Sequence, residues 1–274
     1  MRRIFFYTLI CLSLSGGAFA APPERIISLA PNLTEILYAM GLEERIVGVT
    51  SYCDQPPRAK DKPKIGGMSN PSLEAVVSLR PDMVVMTTDG NPREFEVKMR
   101  NLHQRTYVFQ ARQISELPQG IRDLGAALGA EEQALALALR IQDALDRMRA
   151  GGSAQSPKRK ALFIVWPEPM IVAGPWTAMD DALHLLGLEN IAHDVKTKYP
   201  KYSVEEIIHR NPDVIFIGKG HGNMQEVSKG LLQKLRMLDA VKKGRVYFTG
   251  DALYRLGPRV IDGIEELSGY LNRE

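Results

Sequence analysis

SLEAVVSLRPDMVV at residues 72–85 and SVEEIIHRNPDVIF at residues 203–216 are two versions of one pattern, separated by a constant 131 residues. Ser, Glu, Pro and Asp coincide in the two segments, and the apolar positions match in kind. Each segment is typical of a short helix that turns at Pro-Asp into a buried strand. A second pair also matches, LYAMGLE at residues 37–43 and LHLLGLE at residues 183–189. Together the two matches predict two lobes of similar topology.

Strands and helices alternate around these segments. Residues 25–29 and 46–49 have the short, β-branched composition of buried strands. Between them we predict a helix that is capped by Asn32, completed as a capping box by Glu35 and ended by Gly41. Repeated units of this kind imply a parallel sheet covered by helices. We therefore predict an α/β fold of two parallel-sheet lobes, joined by a single long α-helix, with a ligand cleft between them.

The connecting helix is predicted over residues 131–150. Strong helix formers fill this stretch, and apolar side chains recur near helical spacing at Leu135, Leu139, Ile141, Leu145 and Met148. Twenty helical residues span about 30 Å, enough to bridge two lobes as a strut. The alternative is an ordinary crossover helix packed on one sheet. The predicted divisions are a signal peptide (1–20), an N-terminal lobe (21–130), the connecting helix and linker (131–157) and a C-terminal lobe (158–274).

The first 20 residues are typical of a secretory signal peptide. Arg2 and Arg3 precede an apolar run from Ile4 to Leu14, and the small residues Ala18 and Ala20 suit a signal peptidase. We predict cleavage after Ala20. The apolar run is shorter than the roughly 20 residues that span a bilayer, which argues against a permanent anchor. We therefore expect a periplasmic protein.

Composition restricts the function classes. The chain is 45% hydrophobic and 24% charged, as in ordinary globular proteins. Removing Arg2 and Arg3 leaves 33 basic residues against 32 acidic ones, so nucleic-acid binding has no support. Cys53 is then the one remaining cysteine, which excludes an internal disulfide, and we expect its side chain to be buried. We expect a monomer with no resident cofactor.

Catalytic and metal-binding patterns are missing from the sequence. The five histidines, at positions 103, 184, 193, 209 and 221, show neither an H-E-x-x-H pattern nor close pairing, so no metal site is predicted. The sequence contains no G-x-S-x-G motif, and residues 218–222 lack the ending of a phosphate-binding loop. We therefore predict no catalytic residues. An exported hydrolase that uses His221 is the alternative from another class.

A binding cleft is predicted at the ends of the strands. In open parallel sheets, ligands bind beyond the carboxyl ends of the strands. The segments just past those ends are residues 50–52, 87–91, 166–168, 218–222 and 249–251. They are rich in aromatic and small polar residues, which makes them candidate cleft walls.

Several segments resemble the periplasmic cobalamin-binding proteins of ABC importers. These are RIISLAPNLTEIL (25–37), VGVTSYCDQPP (47–57), PKIGG (63–67), SLEA (72–75), RPD (80–82) and VYFTGDALYRLGPR (246–259). The resemblance covers nearly the whole chain after residue 20. It implies two lobes joined by a rigid helix that limits closure, a corrinoid ligand, and a partner importer built of a permease dimer with ATPase subunits.

The resemblance also implies roles for particular residues. Tyr52 matches the cleft tyrosine whose ring lies against the corrin, and residues 251–255 match a stretch that contacts the ligand from the other lobe. Glu74 and Glu205 match acidic residues, one per lobe, that dock onto permease arginines. Without the resemblance, both glutamates read as first-turn residues favoured by the helix dipole. The candidate ligand contacts are Tyr52, Met68, Thr87, Asn91, Trp166, Tyr199, Asp251, Ala252, Leu253, Tyr254 and Arg255.

The identity of the ligand depends on the aromatic residues of the cleft. Met68 and Thr87 stand where tryptophans of the family commonly flank the ligand, and Tyr199 stands where another aromatic residue is expected. Trp166, Trp176 and Tyr254 compensate with stacking surface. Cobalamin, a precursor corrinoid, haem and a ferric siderophore remain the alternatives.

Overall fold

The computed structural model describes residues 21–151, 158–218 and 224–273. The predicted signal peptide and His221 lie outside the described residues. The strands are β1 (Ile26–Ser28), β2 (Ile46–Val49), β3 (Met83–Thr87), β4 (Thr106–Phe109), β5 (Lys160–Pro167), β6 (Met170–Val172), β7 (Glu189–Asn190), β8 (Val214–Gly218) and β9 (Val246–Thr249). The helices are α1 (Pro31–Ala39), α2 (Leu73–Ser78), α3 (Arg93–Asn101), α4 (Leu117–Leu128), α5 (Glu131–Gly151), α6 (Ala178–Leu185), α7 (Val204–Arg210), α8 (Met224–Lys234), α9 (Asp239–Lys242) and α10 (Val260–Leu271).

The strands form two sheets, one before and one after α5. The first sheet is parallel throughout, in the order β2-β1-β3-β4. In the second, β7 pairs with β5, which is followed by β8 and β9, so the parallel strands repeat the same order. The hairpin strand β6 adds an antiparallel partner to β5. The predicted α/β fold of two parallel-sheet lobes is confirmed.

The internal repeat of the sequence corresponds to a repeat of structure. The 72–85 segment forms α2 and β3, and the 203–216 segment forms α7 and β8. Ser72 and Ser203 cap these helices, each accepting a hydrogen bond from the amide three residues later, at 3.2 and 3.1 Å. In the second pair, Gly41 and Gly187 follow α1 and α6 with φ angles of 71° and 75°, a region where glycine avoids the steric cost of a Cβ.

Each sheet is apolar on both faces, as parallel sheets are. In β1, Ile27 belongs to an outer cluster with α2 and α3, whereas Ile26 belongs to a central cluster. In β8, Ile215 faces an outer cluster and Phe216 the central one. The central cluster includes residues of both sheets, so the lobes share one continuous core. Among the described helices, none has the length and apolar content to cross a membrane.

Helix α5 joins the lobes, and its length is as predicted. Its 21 residues span about 30 Å, and residues on one side enter the central cluster: Ala134, Leu137, Ala138, Ile141 and Leu145. The predicted apolar face is partly wrong, because Leu135 and Leu139 are 47% and 50% exposed. The small alanines face the core instead, which allows α5 to pack closely along α4.

The predicted capping box of α1 is also wrong. The cap position is Ala30, whose side chain accepts nothing, and Pro31 occupies the first turn. Asn32 Nδ2 instead donates to the carbonyl oxygen of Leu256, at 3.2 Å, and Glu35 pairs with arginines of the C-terminal lobe. Both polar side chains therefore hold the lobes together.

Candidate ligand-binding cleft

A cleft of about 380 Å³ lies where the carboxyl ends of the two sheets meet. Residues that follow β1, β2, β3 and β4 form one wall, and residues that follow β6, β7 and β9 form the other. This position agrees with the sequence prediction and with the general location of ligands in parallel sheets. The lining residues are Pro31, Asn32, Tyr52, Met68, Thr87, Asp89, Gly90, Ala111, Arg112, Trp176, Thr177, Ala178, Tyr199, Leu253, Tyr254, Arg255 and Leu256.

Large aromatic side chains of the cleft are unusually exposed. Tyr52 on the N-terminal lobe is 56% exposed, and Trp176 and Tyr199 on the C-terminal lobe are 50% and 45% exposed. Trp176 also has a φ of 63°, which is a strained conformation for a residue with a Cβ. Strain of this kind persists where the surroundings impose it, and it is concentrated at ligand clamps. The cleft therefore presents stacking surface from both lobes.

Tyr254 is fixed more rigidly than the other aromatic residues. Its hydroxyl donates to the carbonyl oxygen of Val165 at 2.9 Å, and its ring meets the edge of Phe163 at a centroid distance of 6.3 Å. A Cβ at Gly218 would collide with this hydroxyl and lie 2.6 Å from Tyr254 Cζ, so only glycine leaves room for the ring. Burial raises the pKa of Tyr254, which stays a neutral phenol.

Charges also cross the mouth of the cleft. Lys198 Nζ on the C-terminal lobe lies 3.8 Å from Asp89 Oδ2 on the N-terminal lobe. Desolvation of the half-buried Tyr199 by the surrounding protein, with a smaller contribution from the Asp89 carboxylate, raises its pKa to about 12. At neutral pH its hydroxyl is therefore protonated and available to donate a hydrogen bond.

An alternating ion network, which includes the cleft residue Arg255, joins the lobes. Arg255 Nη1 donates to Asp54 Oδ1 at 2.6 Å and to Glu35 Oε1 at 3.1 Å. Arg259 donates to Glu35 Oε2 at 3.1 Å and to Asp251 Oδ1 at 3.0 Å. Because Glu35 is only 5% exposed and is held by two arginines, the network fixes the relative position of α1 and residues 251–259.

Within the network, the pKa values of Glu35 and Asp251 are shifted in opposite directions. Burial dominates at Glu35 and raises its pKa despite both arginines. At Asp251, burial acts in the same direction, but the hydrogen bond and charge of Arg259 and the charge of Arg255 outweigh it and lower the pKa. The pKa of Arg259 is raised: burial lowers it, but the two carboxylates more than compensate.

The structure brings most of the candidate contact residues together. Seven line the cleft: Tyr52, Met68, Thr87, Tyr199, Leu253, Tyr254 and Arg255. Asp251 and Ala252 lie beside the lining, where Asp251 holds Arg259 and Ala252 is buried. Asn91 supports the wall, since its amide accepts from Thr87 N at 2.8 Å and donates to the Met68 carbonyl oxygen at 2.9 Å. Trp166 lies outside the lining and donates to the Glu168 carbonyl oxygen at 2.7 Å.

Some lining residues are missing from the sequence prediction. Arg112 follows β4, and Thr177 and Ala178 begin α6. The signal for Arg112 was available, because it stands just past a strand end. Thr177 also caps α6, where its hydroxyl accepts a hydrogen bond from Asp180 N at 3.1 Å, and a helix cap gives no sequence signal of a ligand contact.

Glu74 and Glu205 occupy equivalent positions on the surface. Each is the second residue of its helix, α2 and α7, and each is exposed. Within the residues that the structure describes, neither glutamate forms an ion pair. Hydrogen bonds from its own backbone amide and from Ser203 lower the pKa of Glu205, which is therefore ionised at neutral pH.

Cys53 is 1% exposed, so the prediction of a buried side chain is confirmed. Its Sγ lies 3.1 Å from the hydroxyl oxygens of Thr34 and Thr50. Tyr52 and Cys53 are adjacent, but the tyrosine enters the cleft and the cysteine packs into the core.

Comparison with known proteins places this architecture in a family. Residues 26–253 match the periplasmic binding protein family. An uncharacterised ABC transporter substrate-binding lipoprotein of Bacillus subtilis is 34% identical, over 97% of this chain and 85% of its own length. The crystal structure of the periplasmic vitamin B12-binding protein of Vibrio cholerae matches with a TM-score of 0.82 and 28% identity, over 92% of this chain and 97% of that one. The haem-binding protein RhuT of Roseiflexus has a TM-score of 0.81 and 28% identity, over 90% and 97%. The chain belongs to the periplasmic binding protein family, whose members carry solutes for ABC importers and are not enzymes.

Proposed function

We propose that this protein captures cobalamin or a related corrinoid in the cleft between its lobes and delivers it to an ABC importer. The observation that carries the proposal is the paired aromatic surface, with Tyr52 on one wall and Trp176, Tyr199 and Tyr254 on the other. A flat macrocycle offers faces for such rings, and Met68 and Leu253 add apolar contact. The similarity to the vitamin B12-binding protein of V. cholerae supports the same ligand class.

The pairing of Arg255 and Lys198 with acidic residues favours a ligand with neutral side groups. Arg255 is already paired with Asp54 and Glu35, and Lys198 lies 3.8 Å from Asp89. A ligand with carboxylates would have to compete with these acids for the cations. A corrinoid carries amide side chains, which pair with neutral phenols, carbonyl groups and the Asn32 amide without displacing an ion pair.

Haem is the second candidate. Tyr52 is 56% exposed in the cleft, and a tyrosine oxygen serves as an axial ligand of haem iron in some proteins. Arg112, which also lines the cleft, would face a propionate. The structural similarity to the haem-binding protein of Roseiflexus favours the same alternative.

A calorimetric titration of residues 21–274 decides between the ligands. We expect one equivalent of cyanocobalamin or cobinamide to bind more tightly than haem. Trp176→Ala should weaken binding by about 1–3 kcal/mol, as loss of an aromatic platform does elsewhere. Trp166→Ala is the matched control, because Trp166 does not line the cleft. Tight binding of haem with no heat from either corrinoid would refute the corrinoid assignment.

We further propose that Glu74 and Glu205 dock the two lobes onto arginines of a permease dimer. Equivalent acids on related lobes suit a partner with twofold symmetry. Glu74→Lys and Glu205→Lys should abolish stimulation of the reconstituted importer's ATPase while ligand binding persists. Glu94→Lys and Asp262→Lys are matched controls, since both residues are exposed in the first turn of other helices. Equal loss in the controls would contradict this docking.

We also propose that the chain is exported by its signal peptide and acts as a monomer. An intact mass that begins at Ala21, measured on protein released from the periplasm, would support cleavage after Ala20. A different first residue would contradict that cleavage, and a dimer in sedimentation measurements would contradict the monomer.

A further inference from the structure

A cluster of two imidazoles and one carboxylate lies outside the cleft. Asp180 and His184 are one turn apart on α6, and His193 follows β7. One potential ligand atom of each residue lies within 4.8 Å of the other two. His193 Nδ1 is 3.0 Å from Asp180 Oδ2, and the imidazole centroids are 4.7 Å apart. The fold thus brings together three side chains that are suited to a transition metal.

The carboxylate of the cluster is buried and held in one orientation. Asp180 is 2% exposed, and its Oδ1 accepts a hydrogen bond from Asn190 Nδ2 at 2.7 Å. Asn190 is itself fixed, because its Oδ1 accepts from Ala192 N at 3.0 Å. A hydrogen bond to a carboxylate oxygen is the usual outer support of a metal ligand. Asp180 is therefore oriented before any ion arrives.

Among the described residues, Asp180 forms no ion pair with a lysine or an arginine. Within the part of the chain that the structure describes, the ion-pair partners of Asp180 are His184 and His193. A buried carboxylate needs a compensating positive group, and neutral imidazoles do not supply one. A cation at the centre of the cluster would supply that charge.

The histidines reach solvent and one of them is already oriented. His184 and His193 have 40% and 55% of their side-chain surface exposed, beside a cavity of about 570 Å³. The backbone carbonyl oxygen of Asp180 lies 3.0 Å from His184 Nδ1. His184 Nδ1 also lies 3.6 Å from Asp180 Oδ1, so both imidazoles bring a ring nitrogen close to the carboxylate. An ion has an open route to the cluster.

We propose that Asp180, His184 and His193 form a Zn²⁺ site. Two nitrogens and one oxygen are a donor set of zinc, whereas Mg²⁺ and Ca²⁺ prefer oxygen alone. Ligand atoms about 2 Å from a tetrahedral ion lie about 3.3 Å apart. The His193–Asp180 separation is already close to that value, and the exposed imidazoles need only small rotations. Water from the cavity completes the coordination, and the ion ties α6 to the segment after β7.

The test is a calorimetric titration of tag-free protein (residues 21–274) with Zn²⁺. We expect one equivalent to bind, no saturable heat from Mg²⁺, and a Kd raised at least about tenfold by His184→Asn or His193→Asn. His103→Asn is the matched control, because His103 is exposed and belongs to the other lobe. Circular dichroism confirms that each variant is folded, and the exposed histidines make retention of the fold the expected result.

Co²⁺ gives an independent readout of the same site. The native protein should develop the intense visible bands of tetrahedral Co²⁺, and His193→Asn should lose them while His103→Asn retains them. Absence of saturable Zn²⁺ binding, or an unchanged Kd in both cluster variants, would overturn the proposal. The result is separate from ligand capture, since the three residues do not line the cleft.

Discussion

The packing of Tyr254 over Gly218 gives a direct test of how the cleft wall is built. Replacing Gly218 by Ala puts a Cβ 2.6 Å from Tyr254 Cζ and 2.7 Å from Cε2, at the end of β8 where Gly218 pairs with Thr249 of β9. Overpacking of this kind costs about 1–3 kcal/mol, and loss of the Tyr254–Val165 hydrogen bond adds about 1 kcal/mol. We therefore expect Gly218→Ala to lower the free energy of unfolding by about 2–4 kcal/mol.

A double-mutant cycle in urea unfolding isolates this contact. In a Tyr254→Ala background the ring is gone, so Gly218→Ala should change the free energy of unfolding by less than about 0.5 kcal/mol. Gly230→Ala is the matched control, because a Cβ there meets nothing within 4 Å on the exposed face of α8, and it should stabilise the protein by about 0.5–1 kcal/mol. An equal cost of Gly218→Ala in both backgrounds would refute the reasoning.

Three further predictions concern the core helix, a helix cap and the ion network. Leu145→Ala on the buried side of α5 should cost about 2–5 kcal/mol, whereas Leu139→Ala, half exposed, should cost under about 0.5 kcal/mol in the same urea assay. Ser72→Ala should cost about 1 kcal/mol, because an amide of α2 loses its acceptor, and amide exchange in α2 should accelerate. Burial raises the pKa of Glu35, so the contribution of Glu35 to the free energy of unfolding is lost as the pH rises through its folded-state pKa. Glu35→Gln should therefore lower the free energy of unfolding less near pH 7 than near pH 4. The pKa of Asp251 is lowered, so Asp251→Asn should lower the free energy of unfolding more near pH 7 than near pH 3. The pH predictions would be contradicted if the free energies of unfolding lost by Glu35→Gln and Asp251→Asn changed with pH in the same direction. The prediction for α5 would be contradicted if Leu139→Ala cost more than Leu145→Ala.

Local patterns predicted the repeat and the helix and strand within each of its copies. Ser72 and Ser203 cap the helices of the two matching segments, and a cap of this kind depends on residues only three positions apart. The repeated helix, Pro-Asp turn and strand predicted two lobes of similar topology, and β3 and β8 occupy equivalent positions in their sheets. The position of the cleft was also predicted correctly, because it depends only on the direction of the strands.

Contacts between residues that are far apart in the chain could not be predicted from the sequence. Glu35 reads as half of a capping box, yet its partner Arg259 is 224 residues away. The buried face of α5 was predicted wrongly for a related reason. Whether Leu139 or Ala138 faces the core depends on how closely α4 approaches α5. His193 meets Asp180 only because β7 returns the chain beside α6, which no spacing between histidines indicates.

The most direct measurement of the central claim is a crystal structure of residues 21–274 with cyanocobalamin. We predict that the corrin lies between Tyr52 and the wall formed by Trp176 and Tyr199, and that the Glu35–Arg259 ion pair stays intact. A corrin bound on another surface, or a cleft that stays empty at saturating ligand, would contradict it.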